Sequence, residues 1–173
     1  MKKLFTLLLV ICMASLAGAT TISFVDEGLT IIASQGEVVR LEVTTDVGLL
    51  GLDAVATVAG GDVFTGATGK WDCATYGWDP SLSFDPIRLG TAQAEIGLGT
   101  FGFPPSGVVA YFDVLYTGGE QVVSIAPGYF WGVSVDWYGE PPLFSDGVVT
   151  IIPEPATLAL LGLGALALLR RRK

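Results

Sequence analysis

Residues 36–58 read GEVVRLEVTTDVGLLGLDAVATV. Within the first ten, Val39, Leu41 and Val43 fall on one face and Val38, Arg40 and Glu42 on the other. That period of two is the signature of a strand with one face on a core. Working outward, similar β-rich apolar runs are TISFV (21–25), GLTIIA (28–33), LLGLDAVATV (49–58), AQAEIGL (92–98), VVAYFDVLYT (108–117), EQVVSIA (120–126), YFWGVSVDW (129–137) and DGVVTII (146–152). Turn material punctuates most of them: Ser34-Gln35-Gly36, Gly60-Gly61-Asp62, Pro104-Pro105-Ser106-Gly107, Gly118-Gly119, Pro127-Gly128 and Gly139-Glu140-Pro141-Pro142. No stretch of 20–152 sustains a 3.6-residue apolar stripe over three turns. The expected fold is all-β: a single β-sandwich of jelly-roll type with about nine strands. The irregular segment 69–90 is expected to be a long excursion between strands.

The chain has 173 residues, enough for one domain, and 51% of them are hydrophobic. Much of that excess lies at the ends. At the front, Lys2 and Lys3 precede an apolar run from Leu4 to Leu16 and a small-residue exit, Ala17-Gly18-Ala19. This is the layout of a secretory signal peptide over residues 1–19, with Ala17 and Ala19 as the cleavage determinants. The apolar run of 13 residues is short of the ~20 that a spanning helix needs. The chain is therefore expected to be exported, with its body at 20–152.

Six of the nine basic residues lie in the two end segments. Inside the body only Arg40, Lys70 and Arg88 stand against 16 carboxylates, a balance of −13. Such a surface repels phosphate backbones, which argues against a nucleic-acid partner. The body holds one cysteine, Cys73, so a packed core rather than an internal disulfide must supply its stability. A buried free thiol is the expected state of Cys73. There is no histidine, which removes Ser-His-Asp, Cys-His and His-ligated metal sites together. There is no asparagine to accept N-glycosylation.

The chain closes on IIPEPATLALLGLGALALLRRRK (151–173). Pro153 and Pro155 lack an N–H, so the last strand is expected to stop at Ile152. Pro155 suits the first turn of a helix, and Glu154 places negative charge at that helix's positive end. From Ala156 to Leu169 the chain carries no charge, and such a helix measures ~21 Å against a hydrocarbon core of ~30 Å. Snorkelling arginines and local thinning can cover that mismatch. Arg170, Arg171, Arg172 and Lys173 then form a cytoplasmic stop under the positive-inside rule. The expectation is a transmembrane helix at 156–169 that leaves the body outside.

Pro153-Glu154-Pro155, the small-residue apolar run with Gly162 and Gly164, and the basic end together resemble the PEP-CTERM sorting signal of bacterial exported proteins, over about 153–173. The resemblance implies transient processing by an exosortase, with Pro153, Glu154 and Pro155 as the recognition residues. It also implies a Gram-negative cell that makes exopolysaccharide. The body is similar to cohesin-like domains over roughly 28–126. The matching positions are Gly36, Glu37, Val39, Gly48, Leu49, Gly51, Leu52, Asp53, Gly107, Val108, Val109, Ala110 and Phe112. One departure is Val58-Ala59-Gly60-Gly61-Asp62-Val63-Phe64, where cohesins carry a Tyr-Asp-Pro-x-x-Leu turn. The resemblance implies the fold more strongly than it implies a dockerin-like protein partner.

Four tryptophans, Trp71, Trp78, Trp131 and Trp137, raise carbohydrate binding, because flat aromatic faces stack on sugar rings. Trp131 and Trp137 are six apart in a candidate strand, where core packing is the default, so Trp71 and Trp78 are the candidate glycan contacts. Asp72, Asp79 and Asp136 are polar neighbours for hydroxyl groups. Asp72, Asp79 and Asp85 supply the hard oxygens that Ca²⁺ prefers, but the dense D-x-D-x-D-G loop is absent. No cofactor is expected. Nothing singles out a glycosidase carboxylate pair, and no G-x-S-x-G elbow is present. The expectation is therefore a non-enzymatic cell-envelope protein with a structural or adhesive role in exopolysaccharide. The alternatives are a carbohydrate-binding module and a cohesin-type docking domain.

Overall fold

In the computed structural model, residues 20–59, 63–68, 82, 84–88, 92–102, 106–129, 134–136 and 138–155 are described. They form twelve strands: β1 (Thr21–Phe24), β2 (Thr30–Ala33), β3 (Val38–Thr45), β4 (Leu49–Ala59), β5 (Val63–Thr68), β6 (Phe84–Arg88), β7 (Gln93–Gly99), β8 (Gly107–Leu115), β9 (Gln121–Pro127), β10 (Val135–Asp136), β11 (Leu143–Phe144) and β12 (Val148–Pro153). One sheet has the order β11-β1-β3-β8-β5. The other runs β2-β12-β9-β4-β7-β6, with β10 paired against β4. The chain moves from β1 in the first sheet to β2 in the second through a turn at 25–29, held by Gly28 N–H donating to Val148 O at 2.8 Å.

The alternation read in β3 is the burial observed. Val39, Leu41 and Val43 are buried, whereas Val38 is half exposed. Opposite them across the sandwich, β4, β7, β9 and β12 contribute Leu52, Ala54, Ala56, Ile96, Leu98, Val123, Val149 and Ile151 to the same core. Each large apolar side chain so buried stabilises the fold by about 1.5–3 kcal/mol. Phe112 of β8 meets Phe24 edge-on at 6.4 Å and Phe64 at 5.9 Å between ring centroids. Edge-to-face pairs of this kind add about 0.5–1.5 kcal/mol beyond area burial.

Three strands were not expected from the sequence. β5 arises where the cohesin resemblance departs from its pattern, and it pairs antiparallel with β8. β6 lies inside the excursion 69–90, at the edge of its sheet, where Pro86 costs no interior ladder bond. Its register shifts between Phe84 and Arg88 against β7, so the proline sits in an irregular stretch of that edge. β11 is only two residues long, too short to leave a periodic trace. The candidate strand 129–137 is realised, among the described residues, only at Val135–Asp136.

The registers define two ends. β3 and β7 finish, and β4 begins, at the end where Thr20 enters; Thr21 N–H donates to Asp46 Oδ1 there at 2.9 Å. β12 finishes at the opposite end, beside Ala33 of β2 and the β8–β9 turn. That turn runs through Gly118 and Gly119, at φ of 113° and 80°, a region that favours glycine. The buried Tyr116 closes it by donating its hydroxyl to Gly119 O at 2.7 Å.

Candidate functional site

The sorting tail leaves the sandwich without a spacer. β12 pairs in parallel with β2 as far as Pro153 opposite Ala33, so the strand continues one residue past the expected stop at Ile152. Its register explains why a proline is accepted. Thr150 N–H donates to Leu29 O at 3.1 Å and Glu154 N–H to Ala33 O at 3.2 Å. The N–H positions of 150, 152 and 154 thus face β2, and those of 149, 151 and 153 face β9. Because β9 begins at Gln121, opposite Ile151, no ladder bond is due at residue 153. Pro153, Glu154 and Pro155 are all exposed. Ala17, Ala19, the segment 156–169, Arg170, Arg171, Arg172 and Lys173 lie outside the described residues. Among the described residues no helix is long and apolar enough to cross a membrane.

At the other end, an apolar cleft of about 470 Å³ opens between the start of β4, the end of β7 and β10. Among the described residues Leu50, Leu82, Phe101 and Val135 line it, with Thr100 as the polar side chain. Gly51 pairs with Gly99 on one side and Val135 on the other, so two facing positions without side chains leave space there. Phe101 is 86% exposed, and Tyr129 and Tyr138 stand exposed on loops of the same end.

Three acidic residues near that end are buried rather than presented to a ligand. Asp53 and Glu95 lie on the outer face of their sheet, yet each is only 1% exposed, because the chain after β9 covers them. Gly128 N–H donates to Asp53 O at 2.8 Å. The Ser134 hydroxyl accepts from Asp53 N–H at 3.0 Å and donates to Asp53 O at 3.1 Å. Tyr129 N–H donates to Glu95 Oε1. Val55, which alternation would place outside with Asp53, is buried as well.

Asp136 is the third. Its Oδ1 accepts from Tyr138 N–H at 2.8 Å and Glu140 N–H at 2.9 Å, and its Oδ2 from the Thr20 hydroxyl at 2.8 Å. Burial pushes its carboxyl up. Hydrogen bonds from Glu140, Thr20, Tyr138 and Gly139 outweigh that and hold it below the ordinary carboxylate range. Asp136 therefore organises its own loop and is not the hydroxyl-binding neighbour that its place beside Trp137 suggested. Alternation with apolar residues concealed all three, since an acid in such a pattern reads as solvent-facing.

Trp71, Trp78, Trp131, Trp137, Asp72, Cys73 and Asp79 lie outside the described residues, and Asp85 stands on the edge strand β6. Among the described residues no three His, Cys, Asp or Glu side chains are gathered as a metal site.

Residues 152–173 match the PEP-CTERM protein-sorting motif. No curated protein matches the chain. Among solved structures, a non-cellulosomal cohesin from the hyperthermophilic archaeon Archaeoglobus fulgidus is similar at 12% identity and a TM-score of 0.55, over 84% of this chain and 98% of that one. CaCohA2 from Clostridium acetobutylicum is similar at 12% identity and a TM-score of 0.54, over 78% and 91%. The sixth cohesin of Acetivibrio cellulolyticus scaffoldin B, solved with a dockerin, is similar at 16% identity and 0.52, over 79% and 99%. At these identities the likeness concerns the fold alone. The motif indicates an exported protein, anchored in the membrane before an exosortase processes it. The chain thus combines a β-sandwich of cohesin fold with a C-terminal PEP-CTERM sorting signal.

Proposed function

We propose that this chain is a non-enzymatic adhesive module of the bacterial cell envelope, sorted by its tail and docking a partner protein at the opposite end of its sandwich. The observation that carries the reading is the polarity of the fold. Glu154 leaves beside Ala33, while the cleft between Leu50, Phe101 and Val135 opens where β4 begins. β4 alone has 11 residues, or roughly 35 Å of strand, so a membrane or exosortase at the tail leaves the cleft free. The occupant is an apolar side chain of a partner protein. A sugar ring needs several hydroxyl partners, whereas among the described residues Thr100 is the polar side chain of this lining. The cohesin fold, found in a dockerin-bound relative, supports docking as the body's role.

Site-specific photo-crosslinking tests this in the producing cell. A photoreactive phenylalanine at position 101 should form an adduct of defined protein mass on the cell surface, and Val135→Asp should abolish it. Absence of a protein adduct while the protein is correctly displayed overturns the docking reading. The carbohydrate-binding module is the second reading, favoured by the sorting signal's association with exopolysaccharide. It expects retention on purified matrix polysaccharide that disappears in Trp71→Ala and Trp78→Ala, whereas a purely structural role expects no such dependence.

A further inference from the structure

The N-terminal segment enters the fold in an unusual setting. Thr20 is 5% exposed, and its hydroxyl donates to Asp136 Oδ2 at 2.8 Å. Its carbonyl oxygen accepts from Leu143 N–H at 2.7 Å. One residue on, Thr21 N–H donates to Asp46 Oδ1 at 2.9 Å. Two carboxylates from separate loops therefore meet consecutive residues, the exposed Asp46 at Thr21 and Asp136, 4% exposed, at Thr20. Every group that hydrogen bonds to the Asp136 carboxylate is neutral: one hydroxyl and backbone amides. Among the described residues the ion pair lies elsewhere, between Arg40 and Asp113. A hydrogen bond from an ionised donor to a carboxylate is roughly twice as strong as one from a neutral donor.

The leader reading supplies one. Cleavage after Ala19 would turn the Thr20 amide nitrogen into an α-ammonium. Within one threonine, nitrogen and Oγ1 are about 3–4 Å apart, so that charge would arise close to Asp136, with Asp46 one residue further along. We propose that leader removal creates an N-terminal latch, in which the Thr20 α-ammonium pairs with the buried Asp136, with the exposed Asp46 adding a weaker second charge, and fixes the loop that carries Val135 into the cleft. The precursor cannot form this pair, because its residue 20 nitrogen is a neutral amide. The inference rests on cleavage at Ala19, and its test separates the two.

The processed full-length chain, purified in detergent, is treated with ¹³C-formaldehyde and borohydride and its methylated amines are titrated by NMR. Only Lys70 and Lys173 accompany the α-amine once residues 1–19 are gone, and the reference range of lysine, about 10.4, is well apart from that of an α-amine at about 7.7–8.0; Lys70→Arg and Lys173→Arg assign the signals. The latch predicts an α-amine titrating at least one unit above that range. It also predicts a return to the range in Asp136→Asn, with Asp46→Ser giving a smaller fall. A group with a raised folded value adds stability below its unfolded value and loses it as pH climbs through the folded one. The processed chain should therefore melt higher than its Nα-acetylated form at pH 7, and the gap should close at high pH. An ordinary titration in the wild-type chain, shown by mass to start at Thr20, overturns the latch and leaves the leader reading intact. A chain starting elsewhere overturns both.

Discussion

Glu154 gives its backbone N–H to the carbonyl oxygen of Ala33 at 3.2 Å, so the sorting motif begins while the chain is still hydrogen bonded to the sheet. The fold uses the main chain of this segment and leaves its side chains exposed. The edge strand β2 is tied to the same place, because its parallel register with β12 ends at Ala33 and Pro153. The sheet therefore uses the backbone at Glu154, and the side chains of Pro153, Glu154 and Pro155 stay exposed. That separation makes the tail testable without disturbing the body.

The core prediction concerns Phe112, fully buried and in edge contact with both Phe24 and Phe64. Phe112→Ala should destabilise the sandwich by about 3–5 kcal/mol, combining lost transfer energy with a cavity that three neighbouring strands cannot collapse into. Urea unfolding followed by tryptophan fluorescence measures this. A cost below 1 kcal/mol would contradict the packing described.

Gly128 tests the cover over the outer sheet face. A Cβ built there would lie 1.9 Å from Asp53 Oδ1 and 3.0 Å from Ala54 N. Asp53 is buried, and its backbone is fixed by Ser134, so it has little room to withdraw. Gly128→Ala should cost about 1–3 kcal/mol and speed amide exchange at Asp53, whose N–H donates to Ser134. Unchanged exchange would mean that the segment is not laced to β4 as the hydrogen bonds indicate.

Much of the sandwich was legible because β3, β9 and β12 each alternate between buried and more exposed positions, as β8 does from Ala110 onward. The strands that escaped notice lack that signal for different reasons. β5 has few strongly apolar residues and two small ones, Gly66 and Ala67, while β6 contains Pro86 and β11 is too short for a period. The tail motif was legible in full, since charge, proline and apolar length speak without tertiary context. The roles of Asp53, Glu95 and Asp136 were not. Whether an acid on an outward position meets water or a covering loop depends on contacts as distant as Thr20 and Asp136, which are 116 residues apart. The cleft was hidden for the same reason, because it exists only where Gly51, Gly99 and Val135 meet.

Asp136 gives a pH prediction. Its folded pKa lies below the ordinary value of 3.8, so its ionised form contributes stability that is fully present above that value. The contribution is lost as pH falls through the lower folded value. At neutral pH Asp136→Asn should cost on the order of 1–3 kcal/mol, through weakened charge-assisted bonds to Tyr138, Glu140 and Thr20. The gap between wild type and variant in urea titrations should narrow as pH is lowered from 5 to 2. A gap that widened with acid would show that the carboxyl is held protonated in the fold, contrary to its donors.

Glu154 separates sorting from stability. Its side chain is exposed, and only its N–H serves the sheet, so Glu154→Ala keeps the bond to Ala33 O and should change the unfolding free energy by less than about 0.5 kcal/mol. The same substitution removes the charge between the two prolines that an exosortase is expected to read. In a producing cell with an exosortase, the variant should accumulate as a larger, membrane-retained form while its sandwich remains protease-resistant. Gel mobility and membrane fractionation give the first readout, and limited proteolysis gives the second. Release at the wild-type rate would remove Glu154 from recognition. A variant both retained and protease-sensitive would mean that the tail supports the fold through its side chain after all, and the separation argued from Ala33 would be lost.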